Sequence, residues 1–75
     1  MTRVIRYFNK KDEALAGEVT VDVFSIDELR RYFNVEDENP MYDSFPIMEN
    51  TDHEFIKKAG MNFDFETYDY FLEYN

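Results

Sequence analysis

The sequence predicts a single α+β domain over residues 1–75: a small antiparallel sheet of three or four strands packed against two helices, in the order β-β-α-(β)-α-β. Three observations lead there. The first twenty residues hold two β-rich segments separated by a polar break, and the second alternates with period two. Two Ser/Thr-x-x-Glu patterns, Ser25 with Glu28 and Thr51 with Glu54, each open a short run whose apolar residues recur at helical spacing. The C-terminal segment is crowded with aromatic residues, which suit a pleated, half-buried strand.

In Thr2–Asn9, Val4 and Phe8 fall on one face and Ile5 and Tyr7 on the other, which suits a central strand. Lys10 to Glu13 is a hairpin-type polar break. Leu15, Gly17, Val19 and Val21 then alternate with Ala16, Glu18, Thr20 and Asp22, the pattern of a half-buried strand completing an antiparallel hairpin. Ile26, Leu29, Arg30 and Phe33 share a helical face, so a helix is expected from Ile26 to Phe33, ending at Asn34, which tolerates left-handed backbone. Val35 to Pro40 is a loop by its charge and its proline. Met41–Ile47, with Pro46, is a short edge strand or an extended loop. Thr51 and Glu54 open a second helix carrying Phe55, Ile56 and Ala59, stopped by Gly60. From Met61 onward a strand and a helix capped by Asp64 both fit; aromatic density favours the strand. The expected core joins Leu15, Val19 and Val21 to Ile26, Leu29, Phe33, Phe55 and Ile56. Phe63, Phe65 and Phe71 are expected mostly inside, with Tyr42 and one or two C-terminal tyrosines partly exposed.

A chain of 75 residues buries only roughly 60% of its unfolded surface, so each large apolar side chain counts. With no cysteine there is neither a disulfide framework nor a thiolate metal site, and eight Phe and six Tyr must build the core. No leader-like apolar run and no stretch of about 20 apolar residues is present, so a cytoplasmic protein without a membrane segment is expected. The net charge of −9 is unevenly placed. Acids and bases balance up to residue 33, whereas residues 34–75 carry eleven acids against Lys57 and Lys58. Such a surface repels nucleic acid and anionic lipid and attracts basic proteins.

Catalytic chemistry finds little footing. His53 is the only histidine, with no Ser-His-Asp or Cys-His arrangement around it, and it reads as a solvated helix residue. Gly17 and Gly60 stand alone, so no phosphate-cradling loop exists. Glu36-Asp37-Glu38-Asn39 lacks the glycine and closing glutamate of a calcium loop. Asp64 and Glu66 could hold Mg²⁺ in an extended segment, yet nuclease chemistry also needs cations to hold a polyanion. No enzyme activity, cofactor or metal is therefore expected. What remains is acid interleaved with aromatic: Met41-Tyr42-Asp43-Ser44-Phe45, Phe63-Asp64-Phe65-Glu66 and Tyr68-Asp69-Tyr70. Tyrosine offers rigid contact area with a polar tip, and carboxylates accept from lysine and arginine. The expected partner-binding residues are Glu36, Asp37, Glu38, Tyr42, Asp43, Asp64, Glu66, Asp69 and Tyr70, with Tyr42 and Tyr70 as anchors.

Arg-x-Ile-Arg-Tyr-Phe from Arg3 to Phe8, Asn-Pro-Met-Tyr-Asp-x-Phe-Pro-Ile from Asn39 to Ile47, and the Phe-Asp-Phe…Tyr-Asp-Tyr-Phe-Leu-Glu ending at Glu73 together resemble small acidic bacterial immunity proteins of the contact-dependent growth-inhibition, polymorphic-toxin type. The resemblance covers nearly the whole chain and carries no catalytic signature. It implies a cytoplasmic protein that binds a cognate toxin domain, often a basic nuclease, and occludes its active site or substrate groove. It transfers no partner-binding residue; those named above rest on charge and aromatic pattern. The alternative is an acidic adaptor or regulatory module, unrelated to toxins, that binds a peptide or subunit through its sheet edge.

Overall fold

In a computed structural model that describes residues 2–74, strands β1 (Arg3–Asn9), β2 (Leu15–Thr20), β3 (Phe45–Ile47) and β4 (Tyr68–Tyr74) form one antiparallel sheet in the order β2-β1-β4-β3. Helices α1 (Ile26–Tyr32) and α2 (His53–Ala59) complete the α+β order β-β-α-β-α-β. β1 is central, as its two-faced apolar pattern requires. The C-terminal segment is a strand, and Met41–Ile47 contributes an edge strand of three residues.

Register assigns the faces, because directly opposed residues of antiparallel strands point the same way. Ile5 lies opposite Val19 and Leu72, Tyr7 opposite Gly17 and Tyr70, and Phe45 and Ile47 opposite Leu72 and Tyr70. This face meets Leu29 of α1 and Phe55 of α2, both fully buried, together with Val21, Phe24 and Met41. Phe24, Tyr32 and Phe33 surround the Phe55 ring at centroid distances of 4.9, 5.9 and 5.0 Å. On the opposite face Arg6 lies between Glu18 (2.8 Å) and Glu73 (2.6 Å), and Phe8 meets Phe71 edge to face at 5.8 Å. Phe71 therefore lies half-buried on the face opposite the helices, with the fully buried Val4, and not in the core cluster expected for it. Phe63 and Phe65 do pack against the core, stacked on each other and edge-on to Tyr70.

Leu15 departs from the expected core: it is 57% exposed. The register shifts between Tyr7, opposite Gly17, and Phe8, opposite Leu15, leaving Ala16 as the extra residue of a bulge. One inserted residue moves Leu15 off the face that Val19 keeps. Within the same strand Gly17 is a packing requirement, since a Cβ there would lie 2.3 Å from the Tyr7 hydroxyl and 2.4 Å from its ring.

Ser25 and Glu28 form the expected capping box of α1, and Asn34 takes positive φ just beyond the helix. The cap of α2 is one residue later than Thr51: Asp52 accepts the Glu54 amide, because the Thr51 hydroxyl already accepts the Met48 N–H at 2.8 Å. Gly60 closes α2 in the left-handed conformation. Lys58 of α2 reaches Glu28 of α1 at 2.6 Å, tying the helices together. With the Lys58 ammonium beside it and the Ser25 amide donating to it, the Glu28 carboxyl titrates at about 2.

Candidate functional site

The acid-aromatic segment between α1 and β3 is built on two arginines, one in the preceding helix and one far from it in sequence. Arg3 donates to the Met41 carbonyl and, at 2.9 Å, to the Pro40 carbonyl. Arg30 donates from Nε to the Asn39 carbonyl at 2.8 Å and meets Asp27 at 3.4 Å. Three successive carbonyls of a loop are thus held by guanidinium donors from β1 and α1. Burial lowers the Arg3 pKa from its ordinary value, an effect partly offset by Tyr74 and Tyr42.

Met41 is the pivot of this loop. Its φ is +58°, uncommon for a residue other than glycine, and its side chain is fully buried in the core. The Asn39 side chain accepts the Met41 N–H at 2.8 Å while Arg3 takes its carbonyl, so both backbone polar groups are satisfied and the unusual conformation is over-determined. An Asn39 N–H to Glu36 carbonyl bond of 3.0 Å closes the turn before it. Glu36, Asp37 and Glu38 are left exposed on its outer side.

Tyr42 follows directly and is 63% exposed. Its ring stacks on Tyr74 at 4.7 Å, and the Arg3 guanidinium lies 4.4 Å from the centroid of that same Tyr74 ring. Tyr42 is therefore a large exposed ring with a fixed orientation, an economical contact surface because little rotamer freedom is left to lose. Asp43 beside it is exposed, and Ser44 donates to Glu73 at 2.9 Å. Glu36, Asp37, Glu38, Tyr42 and Asp43 are brought together on one loop, at the end of the sheet where β1 begins and β4 finishes.

The other expected contact residues lie elsewhere. Asp64 and Glu66 are in the turn before β4, and Asp69 is near its start; β4 runs from Tyr68 to Tyr74, which separates the two ends of the strand by about 20 Å. At that far end the charge is mixed. Lys10 meets Asp69 at 3.5 Å and its amide donates to the Thr67 carbonyl. Asp64 is engaged in its own turn, its side chain accepting the Thr67 N–H. Tyr70 cannot serve as an exposed anchor: it is 3% exposed, packed against Tyr7, Phe63 and Phe65, with its hydroxyl accepting the Asp64 N–H at 2.8 Å. Burial raises the Tyr70 pKa.

Sequence reading missed Arg3, Arg30 and Tyr74, which set the loop's shape. Only the short spacing from Arg30 to Asn39 hinted at a link; Arg3 acts across 37 and 38 positions. Among the described residues no group of three His, Asp or Glu side chains converges as metal ligands, and no helix is long and apolar enough to cross a membrane. A family described as "Domain of unknown function (DUF7683)" matches residues 2–73. No curated protein and no solved structure matches the chain.

Proposed function

The chain belongs to the DUF7683 family, and for this member we propose a binding role: it captures a basic partner protein through the acidic loop around Tyr42. In its most specific form the partner is a cationic nuclease toxin, and the protein is the cytoplasmic immunity factor that neutralises it by occluding the substrate groove. The observation that carries the reading is a single loop presenting Glu36, Asp37, Glu38 and Asp43 around a fixed, exposed Tyr42, with Arg3 and Arg30 committed to the carbonyls behind it. A groove that holds RNA or DNA is cationic, and a carboxylate-rich loop with one aromatic anchor offers it comparable charge. The toxin link comes from sequence resemblance alone; the capture of a basic protein rests on the loop.

An interface of ordinary size takes about 800 Å² from each partner, roughly a sixth of the 5194 Å² surface here. The loop and the adjoining end of the sheet are the region expected to supply it, while the mixed-charge turn at residues 64–69 stays outside. Tyr42→Ala is expected to raise the off-rate about 30-fold, as loss of a 2 kcal/mol anchor does, with the fold retained. The test is competition on a catalytically inactive cationic nuclease domain that the protein retains in a pull-down. Labelled RNA or DNA should be displaced by the wild type and far less by Tyr42→Ala. Simultaneous binding of protein and nucleic acid without mutual weakening would rule out groove occlusion.

A further inference from the structure

We infer that the outer edge of β2 is a second docking site, which accepts an extended, lysine- or arginine-bearing segment as a fifth strand. The inference takes from the reading above only the sign of the partner's charge. The Val21 N–H donates to the Arg3 carbonyl and the Asn9 N–H to the Ala14 carbonyl. Backbone polar groups of successive strand residues point to alternate sides, so with Ile5 opposite Val19 and Tyr7 opposite Gly17, the residues Gly17, Val19 and Val21 direct theirs to β1. Ala16, Glu18 and Thr20, all exposed, direct theirs outward, where β2 has no neighbouring strand.

The same alternation carried across the sheet closes the other edge. Val4, Arg6 and Phe8 turn to Glu73, Phe71 and Asp69; Tyr70 and Leu72 then turn to Ile47 and Phe45, and Pro46 is the β3 residue left facing outward. Proline has no N–H to offer an added strand, so β3 is blocked. β2 carries no proline or lysine, and its one edge guard, the bulge at Ala16, lies at the start of the strand and leaves Glu18 and Thr20 in regular pairing. Leu15 and Val23, exposed by 57% and 53%, bracket it with apolar surface.

Charge decides the occupant. A second copy would bring another net charge of −9, and pairing centred on the strand would set Glu18 against its own counterpart. An incoming strand with apolar residues beside Val19 and basic residues on the Glu18 face meets neither obstacle, because Glu18, although it holds Arg6 at 2.8 Å, keeps its side chain 39% exposed and can share its carboxylate with a second cation. The probe is a blocked heptapeptide alternating lysine and valine, read by residue-resolved amide exchange on the full chain. It is expected to slow exchange at Ala16, Glu18 and Thr20. Thr20→Pro removes an outward donor without breaking the β1 ladder, and should weaken binding at least about tenfold. Glu18→Lys, which keeps the strand's backbone intact, should shift preference to a peptide alternating glutamate and valine. Binding of the lysine–valine peptide by Thr20→Pro and Glu18→Lys as tight as by the wild type, no binding by the wild type, or peptide-free dimers paired through β2 would each overturn the inference. Protection at residues 36–43 in place of β2 would overturn it while leaving the acidic-loop reading standing.

Discussion

Replacing Arg3 by methionine isolates what holds the acidic loop. Methionine keeps an apolar stem against Tyr74 but removes the donors to the Pro40 and Met41 carbonyls and the cation over the Tyr74 ring. A hydrogen bond from a charged donor contributes about 1.5–3 kcal/mol, and an exposed cation–π contact about 0.5–1 kcal/mol. One of these bonds is solvent-exposed and water replaces part of what is lost, so a total near 2 kcal/mol is expected. Because Met41 is held in left-handed backbone, the loss should appear first as local opening of the loop. The assay is residue-resolved amide exchange: the Asn39 and Met41 amides should exchange about 30-fold faster, the equivalent of 2 kcal/mol, and the urea midpoint should fall. Affinity for a basic partner should fall as well, although no contacting residue has changed, because the loop must be ordered on binding. Unchanged exchange at both amides together with an unchanged midpoint would refute the idea that Arg3 organises this loop.

Gly17→Ala places a methyl group where the Tyr7 ring lies, and displacing that ring strains its contacts with Tyr68 and Tyr70, at 5.2 and 5.4 Å. A destabilisation of about 1–2 kcal/mol is expected after the entropic gain of replacing glycine, measurable by urea unfolding. Glu28→Gln preserves an acceptor for the capping box but loses the charge that meets Lys58. The Glu28 pKa is depressed from 4.5 to about 2, so its contribution is present above pH 4.5 and is lost as pH falls toward 2. Stability curves of wild type and Glu28→Gln should therefore converge between pH 4.5 and 2; parallel curves would contradict the assignment.

The β-rich ends, the Ser25–Glu28 box and the Gly60 stop were legible because each depends on neighbouring residues. The position of Leu15 was not, since alternation continues unbroken through a bulge that only the pairing with Phe8 reveals. The candidate site divides the same way. Exposure of Glu36, Asp37, Glu38, Tyr42 and Asp43 follows from local charge and a loop-forming segment. Tyr70 looks like Tyr42 in sequence, both lying beside an aspartate, yet β4 turns Tyr70 toward the core face and the Asp64 amide satisfies its hydroxyl. That Asp64, Glu66 and Asp69 lie at the opposite end of β4 from the loop was not legible, because sequence carries no distance along the strand. The Arg3 support of the loop is a long-range contact with no local signature.

The most direct measurement of the central claim is the association rate with a cationic nuclease domain as salt is varied, for two sets of charge reversals. Asp37→Lys, Glu38→Lys and Asp43→Lys together should slow association by at least about tenfold at low salt, with the difference shrinking as the Debye length falls from about 10 Å at 0.1 M to about 3 Å at 1 M. Asp12→Lys with Glu13→Lys, in the charge-balanced hairpin turn, should change it far less. Equal slowing by both sets, or none from the loop set, would contradict capture through the acidic loop.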